Sequence, residues 1–346
     1  MKYENVYIDA FGYELPPNVI TSDDLENRLE PLYQALRLNK GQLTAITGIR
    51  ERRFWDRGFR MNTGAIMAGR KAITNSAATP RDIGMLVYGG VCRDHLEPAT
   101  ACAVADGLGI GSDAEIFDIS NACLGVLNAM VQVANAIELG QIRAGMVVSC
   151  ESARQIVEQT IDRMVKTRDM NVFKSSLATL TGGSGAMAVV LTHRNFADDG
   201  HFFQGGMVRS NPCHHRLCIW GPDTGIPATM PLVMETDSVG VLENGVILGT
   251  QTYRAFCDTF WQDTGGPDKI ICHQVGSTHQ RTILDALDIP TEKDFITYPY
   301  LGNIGTVSLP ITMAIAHERG FLASGDHVGL FGIGSGLNCI LLGVKW

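Results

Sequence analysis

The strongest constraint on this chain is a rhythm that occurs twice. In the first half, "MLVYGGV" from Met85, "IFDIS" from Ile116 and "MVVSC" from Met146 begin 31 and 30 residues apart. In the second, "IICHQV" from Ile270, "ITYPYL" from Ile296 and "VGLFGIG" from Val328 begin 26 and 32 residues apart. Each interval also holds a helical pattern, predicted over Ala99–Leu108, Leu124–Leu139, His279–Leu287 and Val307–Arg319. Short apolar runs alternating with amphipathic helices specify an α/β fold with parallel strands. Their recurrence at matching intervals points to one α/β unit used twice. The expected halves are 1–195 and 196–346. Between them, Phe196 to Pro231 is rich in Gly, Pro, His and Asn and reads as mostly loop with one short strand. An opening helix is predicted from Thr21 to Leu36, with Thr21 or Ser22 as N-cap and Asp23 and Asp24 in its first turn.

Composition excludes several function classes. With 346 residues, 45% of them hydrophobic, the chain can bury a large core. Its 28 basic residues against 36 acidic ones, with no basic run, argue against nucleic acid or an anionic membrane as the main partner. The opening "MKYENVYIDA" has no long apolar stretch, so a secretory leader is not expected. The apolar face of Leu124 to Gly140 is interrupted by Asn128, Gln132 and Asn135, so no membrane span is expected. Nine scattered cysteines without a Cys-x-x-Cys read as free thiols in a reducing cytoplasm.

One cysteine stands apart. Cys123, in "DISNACLGVLNAM", lies where a predicted strand gives way to a predicted helix. A helix start has unpartnered N–H groups and the positive end of the dipole, which biases a thiol toward the nucleophilic thiolate. The ordinary reading of a cysteine is structural, and Cys92, Cys102, Cys150, Cys257, Cys272 and Cys339 are assigned to the core. The repeat places Asn303 at the turn equivalent to that of Cys123, and His273 near the C-terminal end of its own strand. Ligands collect beyond such strand ends, so the three groups can meet. Taken singly, His273 reads equally well as a satisfied core histidine, and Asn303, between glycines, as a turn residue.

Two motifs mislead. "GIGSG" at Gly332–Gly336 follows a strand, but ten residues remain after it, too few for a dinucleotide-binding unit. "CHHRLC" at Cys213–Cys218 carries four metal-ligand side chains, yet adjacent histidines converge poorly on one ion, so no metal is expected.

"NAC" opening a helix, followed by "HQVG", "GNIG" and "GIGSGLN", resembles the thiolase superfamily, in the ketoacyl-ACP synthase III branch. "TGIRERRFW" at Thr47–Trp55 supports that branch, and the resemblance runs the length of the chain. It implies a thiolase fold, five-layered αβαβα and made of two duplicated halves, and an obligate homodimer. It also implies roles: Cys123 as acyl-accepting nucleophile, His273 and Asn303 facing the condensing partner, and the backbone N–H groups of Cys123 and Ser335 as oxyanion hole.

Within the branch, "CRDHLEPATA" (Cys92–Ala101), "GNIGTVSLP" and "GIGSGLNC" are most similar to OleA-type enzymes, which join two long-chain acyl-CoA molecules head to head. There the glutamate before proline, here Glu97, is the proposed base and reaches the partner subunit's active site. The implied reaction is a non-decarboxylative Claisen condensation through an acyl-cysteine, giving a 2-alkyl-3-ketoacyl product. The alternative is a decarboxylative 3-oxoacyl-ACP synthase using acyl-CoA and malonyl-ACP, and a non-catalytic scaffold of the same fold is a third possibility. No cofactor is implied beyond CoA, or the phosphopantetheine of an acyl carrier protein, as substrate carrier. Where primer-type enzymes hold CoA with a tryptophan and an arginine, this chain has Gln42 and Ile46. Candidate pocket walls are Met130, Val131 and Val133 and the stretch "IDRMVKTRDM" from Ile161.

Overall fold

The computed structural model describes residues 1–196, 200–222, 232–262 and 265–346. Nine strands pair in the order Lys269–Cys272, His327–Gly334, Asn338–Lys345, His201–Ser210, Val6–Glu14, Gly185–His193, Ala144–Glu151, Ile83–Gly89 and Glu115–Ile119. The join between the first four and the last five is short. In the strand ladder only Tyr7 with Phe202 and Ile8 with His201 pair across it. Two sub-sheets therefore hang together by an edge.

Alternation of side chains along each strand decides the layers. Val87, Val147 and Val189 of one sub-sheet share a core with Ile271, Leu330 and Ile340 of the other, and with helices Gly125–Glu138 and Ser308–Glu318. Neighbouring positions Leu86, Tyr88, Val148 and Ala188 face away, onto helices Met61–Thr74 and Thr100–Leu108. On the far side, Ile270, Phe331 and Leu341 face helices Ser238–Phe260 and Ser277–Leu287. The sequence of layers is helix, sheet, helix, sheet, helix. Helix Ser308–Glu318 is buried at every position from Ser308 to Ala316, as a helix between two sheets must be.

The four helices predicted between strands are present, within one or two residues of their expected bounds. Two expectations fail. The stretch "ITYPYL" is not a strand: one isolated bridge joins Ile270 to Asp294, and Tyr298–Leu301 is a helical turn with Pro299 in its first residues. Side chains replace the ladder there, with Gln274 Oε1 accepting from the N–H groups of Thr297 and Tyr298. The opening helix is two helices, Ser22–Arg28 and Glu30–Leu36, broken at Leu29 with Pro31 opening the second. Its start is as read: Thr21 Oγ1 accepts from Asp24 N while Asp24 Oδ2 accepts from Thr21 N, a reciprocal cap.

The connecting segment holds more structure than expected, since His201–Ser210 joins the main sheet and Cys218–Pro222 pairs with Leu232–Thr236. The remainder of Phe196 to Pro231 lies largely outside the described residues. Among the described residues, no helix is long and apolar enough to cross a membrane.

Candidate active site

The turn before the nucleophile helix is tight and specific. Ala122 holds φ 46°, a left-handed conformation unusual for a residue with a Cβ, and Leu124 N donates to Asn121 O. The helix begins at Gly125, where a Cβ would lie a tight 3.1 Å from backbone atoms of Gly89 and Gly90. Strand end and helix start thus meet backbone to backbone, leaving Cys123 at the seam. Val126 N, in the first turn, is satisfied by Thr306 Oγ1 from the other half at 2.8 Å.

Cys123, His273, Asn303 and Ser335 border one cavity of about 870 Å³. Cys123, His273 and Ser335 sit past three different strand ends and Asn303 past the helical turn Tyr298–Leu301, so the first half supplies one group and the second three to one apolar space. His273 N donates to Phe331 O, extending the parallel pairing of its strand by one residue and fixing the ring at the rim. Asn303 is held by its backbone, with Asn303 N donating to Thr181 O and Gly183 N to Asn303 O. Its Oδ1 accepts from Gly305 N at 3.1 Å, the local turn that its sequence context suggested. That bond engages the oxygen and presents the NH₂ as donor. The turn reading and the functional reading of Asn303 are therefore one geometry.

Electrostatics overturn one expectation. Cys123 keeps some accessible surface where it borders the cavity, yet protein surrounds it deeply. Burial pushes its thiol up to about 12, with smaller contributions from Cys218 and Glu151. The helix start does not make a resting thiolate, because desolvation outweighs the dipole. His273 is pushed down to about 4 by burial and then by His279, so its ring is neutral at neutral pH, with one donor and one acceptor nitrogen. Alkylation of Cys123 by iodoacetamide is therefore expected to accelerate about tenfold per pH unit from pH 7 to 10, following the thiolate fraction. A plateau near pH 7 would mean that the thiolate is stabilised after all.

Glu97 is elsewhere. It is exposed, on a segment whose tip carries Leu96 at 79% exposure, and it does not border the cavity of its own chain. Both ends of that segment are anchored. Asp94 accepts from Met61 N and Asn62 N, Tyr88 Oη donates to Cys92 O, and Asp118 accepts from Thr100 N and Ala101 N. The tip is held outward, and the apolar screening expected around Glu97 is absent within one chain.

Sequence reasoning missed Glu151. It ends an otherwise apolar, fully buried strand, borders the cavity, and accepts from Val91 N at 2.8 Å and Cys92 N at 3.3 Å. Burial raises its carboxyl. A charged residue closing such a strand at its C-terminal end was the available signal. The pocket walls were also misplaced: Met130, Val131 and Val133 are packed core, and much of the cavity is lined by helix Ser238–Phe260, including Gly245 and Gly249.

The glycines of "GIGSG" serve packing first. A Cβ on Gly332 would lie 2.5 Å from Leu127, and one on Gly334 3.1 Å from Leu124. Of the cysteines assigned to the core, Cys150, Cys272 and Cys339 are buried, Cys92 and Cys257 are half-buried, and Cys102 is exposed on the outer face of its helix. Among the described residues no group of three or more His, Cys, Asp or Glu side chains is placed to hold a metal. In the "CHHRLC" stretch, Cys213 Sγ instead donates to Asn211 Oδ1.

Residues 117–207 match the family model for 3-oxoacyl-[acyl-carrier-protein] synthase III, and residues 264–346 match its C-terminal counterpart. An acyl-CoA:acyl-CoA alkyltransferase of Shewanella oneidensis is 51% identical, and one of Xanthomonas campestris 33%, each covering all of both chains. A crystal structure of a cysteine-to-alanine variant of Xanthomonas campestris OleA superposes with a TM-score of 0.93 at 32% identity, over 100% of this chain and 98% of that one. A cysteine-to-serine variant of that protein, solved with bound lauric acid and lauroyl-CoA, superposes at a TM-score of 0.92 with 32% identity, over 99% of this chain and 100% of that one.

Proposed function

This chain belongs to the family of acyl-CoA:acyl-CoA alkyltransferases, and we propose that it joins two long-chain acyl-CoA molecules by Claisen condensation at Cys123. The carrying observation is the shared cavity: a thiol, a neutral imidazole, a presented carboxamide NH₂ and a glycine-flanked backbone turn converge on one mostly apolar space.

In the first half-reaction the Cys123 sulfur attacks the thioester carbonyl. Its proton leaves as the bond forms, and neutral His273 offers the acceptor nitrogen. The backbone N–H groups of Cys123 and Ser335 stabilise the oxyanion, and as the C–S bond to CoA breaks the proton on His273 passes to the departing CoA sulfur, leaving an acyl-cysteine and a neutral imidazole. In the second, another acyl-CoA loses an α-proton. His273 and Asn303 donate to its enolate oxygen, and the proton goes to Glu97 of the partner subunit. The carbanion attacks the acyl-cysteine carbonyl, the C–S bond breaks, and the thiolate recovers a proton. The product is a 2-alkyl-3-ketoacyl-CoA.

A homodimer follows from this assignment. Glu97 is exposed beside exposed Leu96 on an anchored segment, next to the sheet-edge strand Glu115–Ile119. An apolar tip with an acidic residue suits insertion into a second copy, where the glutamate gains the apolar surroundings that raise its basicity. The organisation into halves 1–195 and 196–346 is part of the same reading, the first half giving the Cys123 turn and the second those of Asn303 and Ser335. The match to 3-oxoacyl-[acyl-carrier-protein] synthase III supports a second reading, in which a malonyl carrier makes the carbanion by losing CO₂ and no base is required.

The intermediate is directly testable. With a long-chain acyl-CoA, the peptide holding Cys123 is expected to gain the mass of one acyl group. No adduct on that peptide contradicts the assignment.

A further inference from the structure

The two backbone N–H groups of the oxyanion hole come from opposite halves, more than 200 residues apart in sequence. Something must fix their separation. The strand His327–Gly334 delivers Ser335 close to the nucleophile turn, since a Cβ on Gly334 would lie 3.5 Å from Cys123 N. Packing through Leu124 sets the approach, but packing alone does not set the orientation of an N–H group.

A carboxamide bridges the gap. Asn338 Nδ2 donates to Ser335 O at 3.3 Å and to Asn121 Oδ1 at 3.0 Å. Asn121 Nδ2 in turn donates to Asn128 Oδ1 at 2.8 Å, one turn into the nucleophile helix. Asn121 O also accepts from Leu124 N, which closes the turn around Cys123. The far side of the Ser335 turn is tied by a reciprocal pair, Leu337 N to Asn211 O and Asn211 N to Leu337 O. Asn338 itself pairs with Gly334 across the antiparallel ladder, so its backbone is rigid. The residue has two donors on one nitrogen, and both are used, one toward each half.

We infer that Asn338, acting through Asn121 and Asn128, is a positioning residue that sets the distance and aim between the Cys123 and Ser335 N–H groups. The chemistry needs an amide at 338. An aspartate there carries no donor and sets a negative oxygen against the Ser335 carbonyl and the Asn121 amide oxygen, driving the two turns apart. Removing one oxyanion donor typically costs about 10²–10³ in rate, and a displaced donor costs part of that. The inference rests on the proposed oxyanion hole, and the test separates the two.

The experiment compares two reactions of the same sulfur in the full-length protein. Acylation by a long-chain acyl-CoA passes through a tetrahedral oxyanion, whereas alkylation by iodoacetamide displaces iodide at a saturated carbon and forms none. Asn338→Asp is expected to slow acylation about 10- to 100-fold while alkylation at the same pH stays within about threefold. Asn121→Asp keeps the acceptor for Asn338 but loses the donor to Asn128. It should show the same selective loss to a smaller degree, and it serves if Asn338→Asp does not fold. Equal slowing of both reactions would reduce Asn338 to a structural residue and overturn the inference, as would unchanged acylation. Failure of the unsubstituted protein to acylate at all would instead sink the proposed function.

Discussion

Replacing Cys123 with alanine will remove CoA release and product formation together, by at least about 10⁴-fold, because both half-reactions pass through one sulfur. The comparison that makes this informative lies inside the same cavity. Cys218, Cys272 and Cys339 border it as well, so access alone does not choose the nucleophile. Cys272 and Cys339 are buried in strands, and Cys218 opens the strand Cys218–Pro222, where its sulfur accepts from Thr236 Oγ1 at 3.5 Å. In the proposed mechanism the carbonyl oxygen is shared by the backbone N–H groups of Cys123 and Ser335, a role that it assigns to no other cysteine. Cys218→Ser is therefore expected to keep acylation within a few-fold. If Cys218→Ser abolished acylation and Cys123→Ala did not, the nucleophile would have to be reassigned.

Glu97→Gln should separate the two halves of the reaction. Acylation of Cys123 needs no carboxylate at the tip, so CoA release in the first turnover should persist within about threefold. Coupling needs a base and should fall by at least about 10³-fold. Mixing subunits tests whether the base acts across the dimer. Cys123→Ala homodimers lack the nucleophile, Glu97→Gln homodimers lack the base, and both should be inactive. In a mixed dimer, the Glu97→Gln subunit keeps its thiol and receives the intact glutamate of its partner. Activity should return to roughly a quarter of the unsubstituted level after random exchange. No recovery would place the glutamate in its own chain's site, against its observed position outside that cavity.

What could be read in one dimension follows from what is periodic or local. Spacing of apolar runs gave the α/β class and the repeat, because strands and helices each leave a distinct period, whereas the five layers came with the family resemblance. Cys123 and His273 were legible because both follow strand ends, and Asn303 because the repeat put it at the turn equivalent to that of Cys123, although a helical turn, not a strand, precedes it. Other features depend on distances that sequence does not carry. The thiol looked like a thiolate because a helix start is a local signal, but burial in the folded chain pushes its pKa up. Asn303 looked ambiguous because its backbone anchors, Thr181 and Gly183, lie more than a hundred residues away. Glu151 drew no notice because its partners, the N–H groups of Val91 and Cys92, are backbone atoms invisible to a motif. "ITYPYL" was taken for a strand on composition, while the side chain of Gln274 had already claimed its N–H groups.

The central claim is that this cavity makes its carbanion by deprotonating an ordinary acyl-CoA. The most direct measurement offers the protein one long-chain acyl-CoA as sole substrate, with no malonyl donor or carrier protein. The account predicts one 2-alkyl-3-ketoacyl-CoA for each CoA released, with no CO₂ evolved. Acylation of Cys123 that stalls there, with C–C bond formation appearing only when a malonyl thioester is added, would contradict it.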